Sequence, residues 1–288
     1  MRIPHIVHRR TTPAGRDRPT ASYVAMTSPI AVIALIAVSA LTAGCPSTSQ
    51  AQGISESFRF GEDHLCLVNM IGAISIEPAS GSEFEVEVTV RGDDAEPGLL
   101  EFDADRGRNS ELVILFPLED ERTYVYPRLG RWSNSSFRYP RRPEEERNWI
   151  DRLGLGKNGP KVKVKGSGRG LEVWADVTVR VPRDGELRVR HGVGSIRAEK
   201  IRGSCEFDLN SGDVDVRHVD GDLVIGTGSG DVAVAEVRGN VHVDTGSGDV
   251  AVAEVRGDLH VDTGSGDVRA AKVSAESVLI DTGSGSVR

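Results

Sequence analysis

The segment Asp231 to Gly239, Asp-Val-Ala-Val-Ala-Glu-Val-Arg-Gly, returns letter for letter 18 residues later at Asp249 to Gly257. A verbatim internal copy at that period leaves few architectures open, because each copy must bury the same residues against its neighbours. The aliphatic residue after each glycine turn extends the register. Ile196, Val214, Val232, Val250, Val268 and Val287 are spaced by 18 residues, with 19 at the last step. Within each copy the apolar residues alternate, as in Leu223/Ile225, Val241/Val243, Leu259/Val261 and Val278/Ile280, and again in Val214/Val216, Val232/Val234 and Val250/Val252. Period two is the signature of strands, not helices. Between the strands stands Thr-Gly-Ser-Gly, at Thr227–Gly230, Thr245–Gly248, Thr263–Gly266 and Thr282–Gly285, and a second corner carries Asp220-Gly221-Asp222, Arg238-Gly239-Asn240 and Arg256-Gly257-Asp258. Glycine supplies the positive backbone angles that sharp corners need.

Two short strands and two tight corners per 18 residues predict an all-β fold, a parallel β-helix or solenoid whose coils stack in register at about 4.8 Å. One coil buries too few aliphatic side chains to offset the ordering of 18 residues of backbone, so stacking is what makes the fold stable. A weaker copy lies upstream: Leu65, Leu67, Asn69, Gly72, Ile74 and Ile76 stand at the spacing of Leu223, Ile225, Thr227, Gly230, Val232 and Val234. The solenoid is therefore expected to span 58–288. Phe84–Val90, Leu112–Phe116 and Val173–Val181 are expected as strands of wider, irregular early coils.

The start of the chain reads as an address. Arg2, Arg9, Arg10, Arg16 and Arg18 precede an uncharged apolar run from Ile30 to Gly44, which is shorter than the roughly 20 residues a transmembrane helix needs. Residues 1–44 are thus expected to be a signal peptide. Leu41-Thr42-Ala43-Gly44-Cys45 resembles the bacterial lipobox, with Thr42 a departure from its commoner aliphatic residue, and this resemblance implies a lipid on Cys45. Residues 45–57, rich in Ser, Thr and Gln, then form a flexible tether. The expected location is the cell envelope, with the protein held to a membrane by its N-terminal lipid, at the outer membrane or cell surface.

Asn69-Met-Ile-Gly-Ala-Ile74-Ser-Ile, Val177-Thr-Val-Arg-Val-Pro182 and the repeated Thr-Gly-Ser-Gly-Asp-Val resemble the bacterial β-solenoid domains named "putative adhesin". The resemblance covers about residues 58–288. It implies a parallel β-helix on the envelope, without catalytic residues, and supplies no ligand.

Residues 117–170 depart from that pattern as an insertion. Tyr124, Tyr126, Trp132, Phe137, Tyr139 and Trp149 make up six of the chain's 14 aromatic residues, interleaved with arginines. Tyr124, Tyr126, Arg131, Trp132, Arg138, Tyr139 and Trp149 are the candidate ligand-binding residues, because aromatic faces stack on sugars and guanidinium groups grip acids. The competing reading is a long loop whose aromatics cap the flank of the solenoid or stay disordered, with Glu144-Glu145-Glu146 beside Arg141-Arg142 as a solvated charge run. His242, Asp244, His260 and Asp262 form a weak two-by-two candidate for a transition metal, which duplication of a coil explains equally well. Asp213, Asp231, Asp249 and Asp267 should stack in one file. Calcium between them is one way to relieve their repulsion, and backbone N–H groups bonded to the carboxylates are the simpler one. Two Arg-Gly-Asp tripeptides, Arg91–Asp93 and Arg256–Asp258, suggest integrin binding, but the aligned corner Arg238-Gly239-Asn240 makes turn chemistry the plainer account. Strand parity points Cys66 outward and Cys205 inward, so no disulfide is expected between them.

A net charge of −8 argues against nucleic acid as a partner. No motif calls for a cofactor. The leading expectation is a non-enzymatic envelope lipoprotein that displays a rigid surface to glycans, other polymers or proteins. The alternatives are a scaffold that self-associates edge to edge through its last coil and a β-helical polysaccharide lyase or hydrolase, whose unlike catalytic residues would have to converge in one groove.

Overall fold

The computed structural model describes residues 54–107, 110–139 and 160–288. Its strands, in chain order, begin with β1 (Ile54–Phe60), β2 (His64–Ile71), β3 (Ile74–Pro78), β4 (Phe84–Arg91), β5 (Glu101–Asp105) and β6 (Glu111–Leu115). The insertion contributes β7 (Thr123–Val125), β8 (Asn134–Arg138) and β9 (Lys161–Lys165). Then follow β10 (Trp174–Val181), β11 (Gly185–Val193), β12 (Ile196–Ser211), β13 (Val214–Asp220), β14 (Leu223–Thr227) and β15 (Val232–Arg238). The last are β16 (Val241–Thr245), β17 (Val250–Arg256), β18 (Leu259–Thr263), β19 (Val268–Ala271) and β20 (Val278–Thr282).

The repeat folds as a parallel β-solenoid. One ladder stacks β3, the first half of β12, β13, β15, β17 and β19, so that Val214, Val232, Val250 and Val268 lie in one file. The other stacks β2, β11, the second half of β12, β14, β16, β18 and β20, with Leu223, Val241, Leu259 and Val278 in register. The inward aliphatics of both ladders form one continuous core, in which Val216, Ile225, Val243 and Val261 are completely buried. The upstream copy falls where the spacing placed it: Leu65 shares a file with Leu187, Cys205 and Leu223, and Ile74 with Ile196 and Val214.

Both glycine corners are set by close approach between coils. Gly230 (φ 141°) and Gly239 (φ 153°) lie against the carbonyls of Gly212 and Gly221 in the coil below, where a Cβ would collide with backbone. The aspartate file holds the first corner through backbone bonds. The N–H groups of Asp231, Asp249, Asp267 and Ser286 each donate to the carboxylate of the aspartate one coil earlier, at 2.9–3.0 Å. A second ladder of the same kind runs from Asp222 through Asn240 to Asp258, which in turn accepts from Glu276 and Ser277. The Asp258 of the second Arg-Gly-Asp is thus engaged in the turn.

The early chain differs from the irregular coils expected of it. β4 pairs antiparallel with both β1 and β10, and β5 pairs antiparallel with β6, so these strands cover the N-terminal edges of the two ladders. The β2–β3 coil is intercalated. β10 and β11 are adjacent in sequence, yet β3 pairs with both β10 and β12, and β2 with both β6 and β11. Residues from before position 80 therefore fill a layer between strands that begin at Trp174 and Gly185. Asn69 Nδ2 secures that layer with a 2.9 Å bond to the Ala175 carbonyl.

The insertion is built, within its described residues, as a three-stranded sheet in which β9 lies between β7 and β8. Alternation in Lys161-Val-Lys-Val-Lys165 buries Val162 and Val164 and leaves the lysines toward solvent. It docks on the flank of the solenoid at Gly192, where Phe137 leaves no room for a side chain, and at Asn210, which donates to Ser135 at 2.8 Å.

Candidate functional site: a groove along the third corner

Each coil has a bend that the two-corner reading missed. In β15 the inward valines are Val232, Val234 and Val237, a step of two followed by a step of three. The extra residue, Glu236, adopts φ 59° and lets Val237 turn back into the core. Lys200 (φ 60°), His218 (57°), Glu254 (57°) and Lys272 (54°) do the same in their own coils. Left-handed backbone at non-glycine residues carries strain. Here it recurs at 18-residue intervals along the stack, turning five bends into one longitudinal groove of about 730 Å³.

The file of left-handed residues forms one wall, and most of its charges are matched. His218 Nε2 lies 3.1 Å from Glu236, Lys272 Nζ lies 2.6 Å from Glu254, and Lys200 Nζ lies 2.8 Å from Glu199. The bond from Lys272 holds the Glu254 carboxyl below its ordinary range, and Glu254 in turn raises the Lys272 ammonium. The opposite wall is the file Arg202, Asp220, Arg238, Arg256 and Ser274, held in register by the ladder. All four charged residues of this file are exposed. The buried side chains of Ile201, Val219 and Val237 lie beneath.

The residues singled out from the sequence fall elsewhere. Tyr124, Tyr126, Phe137 and Tyr139 are buried in the core that joins the insertion to the solenoid, with Tyr124 against Phe116 and Tyr126 against Trp174. Burial raises the phenol pKa of Tyr124, Tyr126 and Tyr139. These three rings cap the flank, as the competing reading had it, and present no face to a ligand. Arg131, Trp132 and Arg138 are exposed, Trp132 at 89%, with the Arg131 guanidinium 5.6 Å from its ring. Trp149 and the lipidation candidate Cys45 lie outside the described residues.

His242 and His260 meet edge to face at 4.5 Å on the outer surface, with Asp244 and Asp262 in register beside them. Among the described residues, no three His, Cys, Asp or Glu side chains converge as metal ligands would. Cys66 is half-buried on the outer face and Cys205 lies in the core, as parity predicted. Both thiols are free, and burial pushes each up to about 12. The groove itself was legible only as a slip in the hydrophobic period, because nothing in the composition of positions 200, 218, 236, 254 and 272 announces a left-handed backbone.

In-register parallel coils define the protein as a β-solenoid. Residues 175–288 match the family model described as Toastrack DUF4097. No curated protein matches the chain. Two solved structures are similar to it. One is a "putative cell adhesion protein" from Clostridium sporogenes, 10% identical, with a TM-score of 0.30 over 80% of this chain and 100% of that one. The other is a "putative adhesin" from Parabacteroides merdae, 8% identical, with a TM-score of 0.26 over 83% of this chain and 97% of that one.

Proposed function

We propose that this protein is a non-enzymatic component of the cell envelope, tethered to a membrane by a lipid on Cys45, whose solenoid binds a surface polymer or protein. The observation that carries the reading is the groove at the third corner, which runs across five coils and presents side chains at the strand spacing. A site of that form suits an extended ligand lying along the stack. Its wall positions recur once per coil along the axis, a spread-out form that favours binding over the hydrolase or lyase alternative, whose groups would have to converge.

Co-sedimentation tests this. The full chain carrying Cys45→Ala, incubated with isolated cell envelopes, should bind saturably and release no soluble sugar. Absence of binding, or liberation of reducing ends, would contradict it. The anchor has its own test: Cys45→Ala should move the protein out of the membrane fraction of the producing cells, and an unchanged distribution would refute lipidation.

A further inference from the structure

On the outer faces of the coils, Arg188, Arg197, Arg217 and Arg269 each have a carboxylate within 4.0 Å. The groove breaks that habit. Arg183, Arg202, Arg238 and Arg256 line it and are exposed, and among the described residues none is in an ion pair within 4.0 Å, Arg256 acting on Glu254 only at longer range. Arg238 and Arg256 are direct neighbours in the ladder. Their backbones are thus anchored about one strand spacing of 4.8 Å apart, which sets two like charges side by side on the same file. With Lys200 and Lys272 the groove carries six fixed cations. Its anions are Asp220, Glu236 and Glu254, two of which are already bonded to His218 and Lys272. This cationic stripe lies on a chain whose net charge is −8.

We infer that the groove binds a linear acidic glycan, lying along the solenoid axis with two successive carboxylates on Arg238 and Arg256. The inference rests on the binding role proposed above and names its ligand class. Guanidinium groups accept carboxylates through two parallel hydrogen bonds, which fixes orientation as well as charge. The strand spacing lets neighbouring acids of such a polymer meet Arg256 and Arg238, while Arg202 stands two coils from Arg238, beyond Asp220.

Polygalacturonate is the probe, with neutral dextran and inorganic polyphosphate as comparison polymers, and binding is read by fluorescence anisotropy of the labelled polymer. The wild-type chain should bind polygalacturonate saturably and leave dextran unbound. Arg238→Gln/Arg256→Gln should weaken that binding tenfold or more and flatten its salt dependence. Arg197→Gln/Arg269→Gln removes the same charge outside the groove and should stay within twofold of wild type. All variants should keep the wild-type urea midpoint, since no substituted arginine reaches the core. Equal losses in the two double variants, or no loss in either, would overturn the inference. Tighter binding of polyphosphate would overturn the choice of a carboxylated sugar in favour of a phosphate polymer. If envelopes bind the wild-type chain while polygalacturonate does not, this inference fails alone; if envelopes do not bind, the wider reading fails.

Discussion

His191 is completely buried where the intercalated coil meets its neighbours, with Nε2 2.8 Å from the Gly72 carbonyl and Nδ1 3.1 Å from that of Asn69. Two carbonyls would suit an imidazolium, yet burial outweighs them and holds the ring pKa down to about 4. The folded value lies below the unfolded one of about 6.5, so protonation favours the unfolded chain. The contribution of His191 is then full above about pH 6.5 and falls toward pH 4, by about 1.4 kcal/mol per unit. Asp208 opposes this between pH 6 and 4, because its burial raises its carboxyl to about 6. Urea midpoints should therefore fall less steeply between pH 6.5 and 5 in His191→Gln than in wild type; parallel slopes would show that His191 is not the titrating group. Asp176 joins three parts of the chain. Its Oδ1 accepts from the Ala73 N–H at 3.0 Å and from Arg128 Nη1 at 3.1 Å, and its Oδ2 faces Arg91 Nε at 3.2 Å. Asp176→Ala should cost about 2 kcal/mol, allowing for the partial exposure of both arginines, and Asp176→Asn less, because its amide oxygen still serves Ala73.

The left-handed bend sets a sharper test of strand geometry. Glu236→Gly should leave stability unchanged or slightly raised, while Glu236→Val should lower it by about 1–2 kcal/mol, because β-branched residues resist positive φ. Equal unfolding free energies for the two variants would contradict the backbone described here. The coil strands and their facing were legible from period two and the copied segment, because those contacts repeat at a fixed sequence distance. The bend was present as the step from Val234 to Val237, but a slip of one residue looks like noise unless a backbone angle explains it. The register of β2–β3 was legible from its spacing, but the layer it occupies was not, since its pairing with β11 joins residues more than 100 positions apart. In the insertion the aromatic content was plain and its burial was not: Lys161–Lys165 alternates, but only docking at Gly192 and Asn210 decides which face is covered. Intercalation also predicts that residues 175–288 alone, the part matching the Toastrack model, lack a layer between β10 and β11. In urea that fragment should show no cooperative unfolding transition, whereas the chain from residue 54 should. A cooperative fragment would mean that β10 can close directly on the coils below.

Across the whole molecule, one geometric relation produces both the stability and the proposed site. Because coils lie in register, any side chain that serves the core serves it in every layer, and any outward side chain becomes a file. The aspartate ladders, the left-handed corner and the Arg238/Arg256 pair all follow from it. Disulfide trapping tests that relation directly in a background with Cys66→Ser and Cys205→Ala. Ala233 and Ala251 are ladder neighbours on the outer face, within the Cα separation a disulfide requires, while Ala233 and Arg269 are two coils apart. Mild oxidation should close an intramolecular disulfide in Ala233→Cys/Ala251→Cys and leave Ala233→Cys/Arg269→Cys open. A bridge in the second pair without one in the first would contradict in-register stacking, and with it the groove.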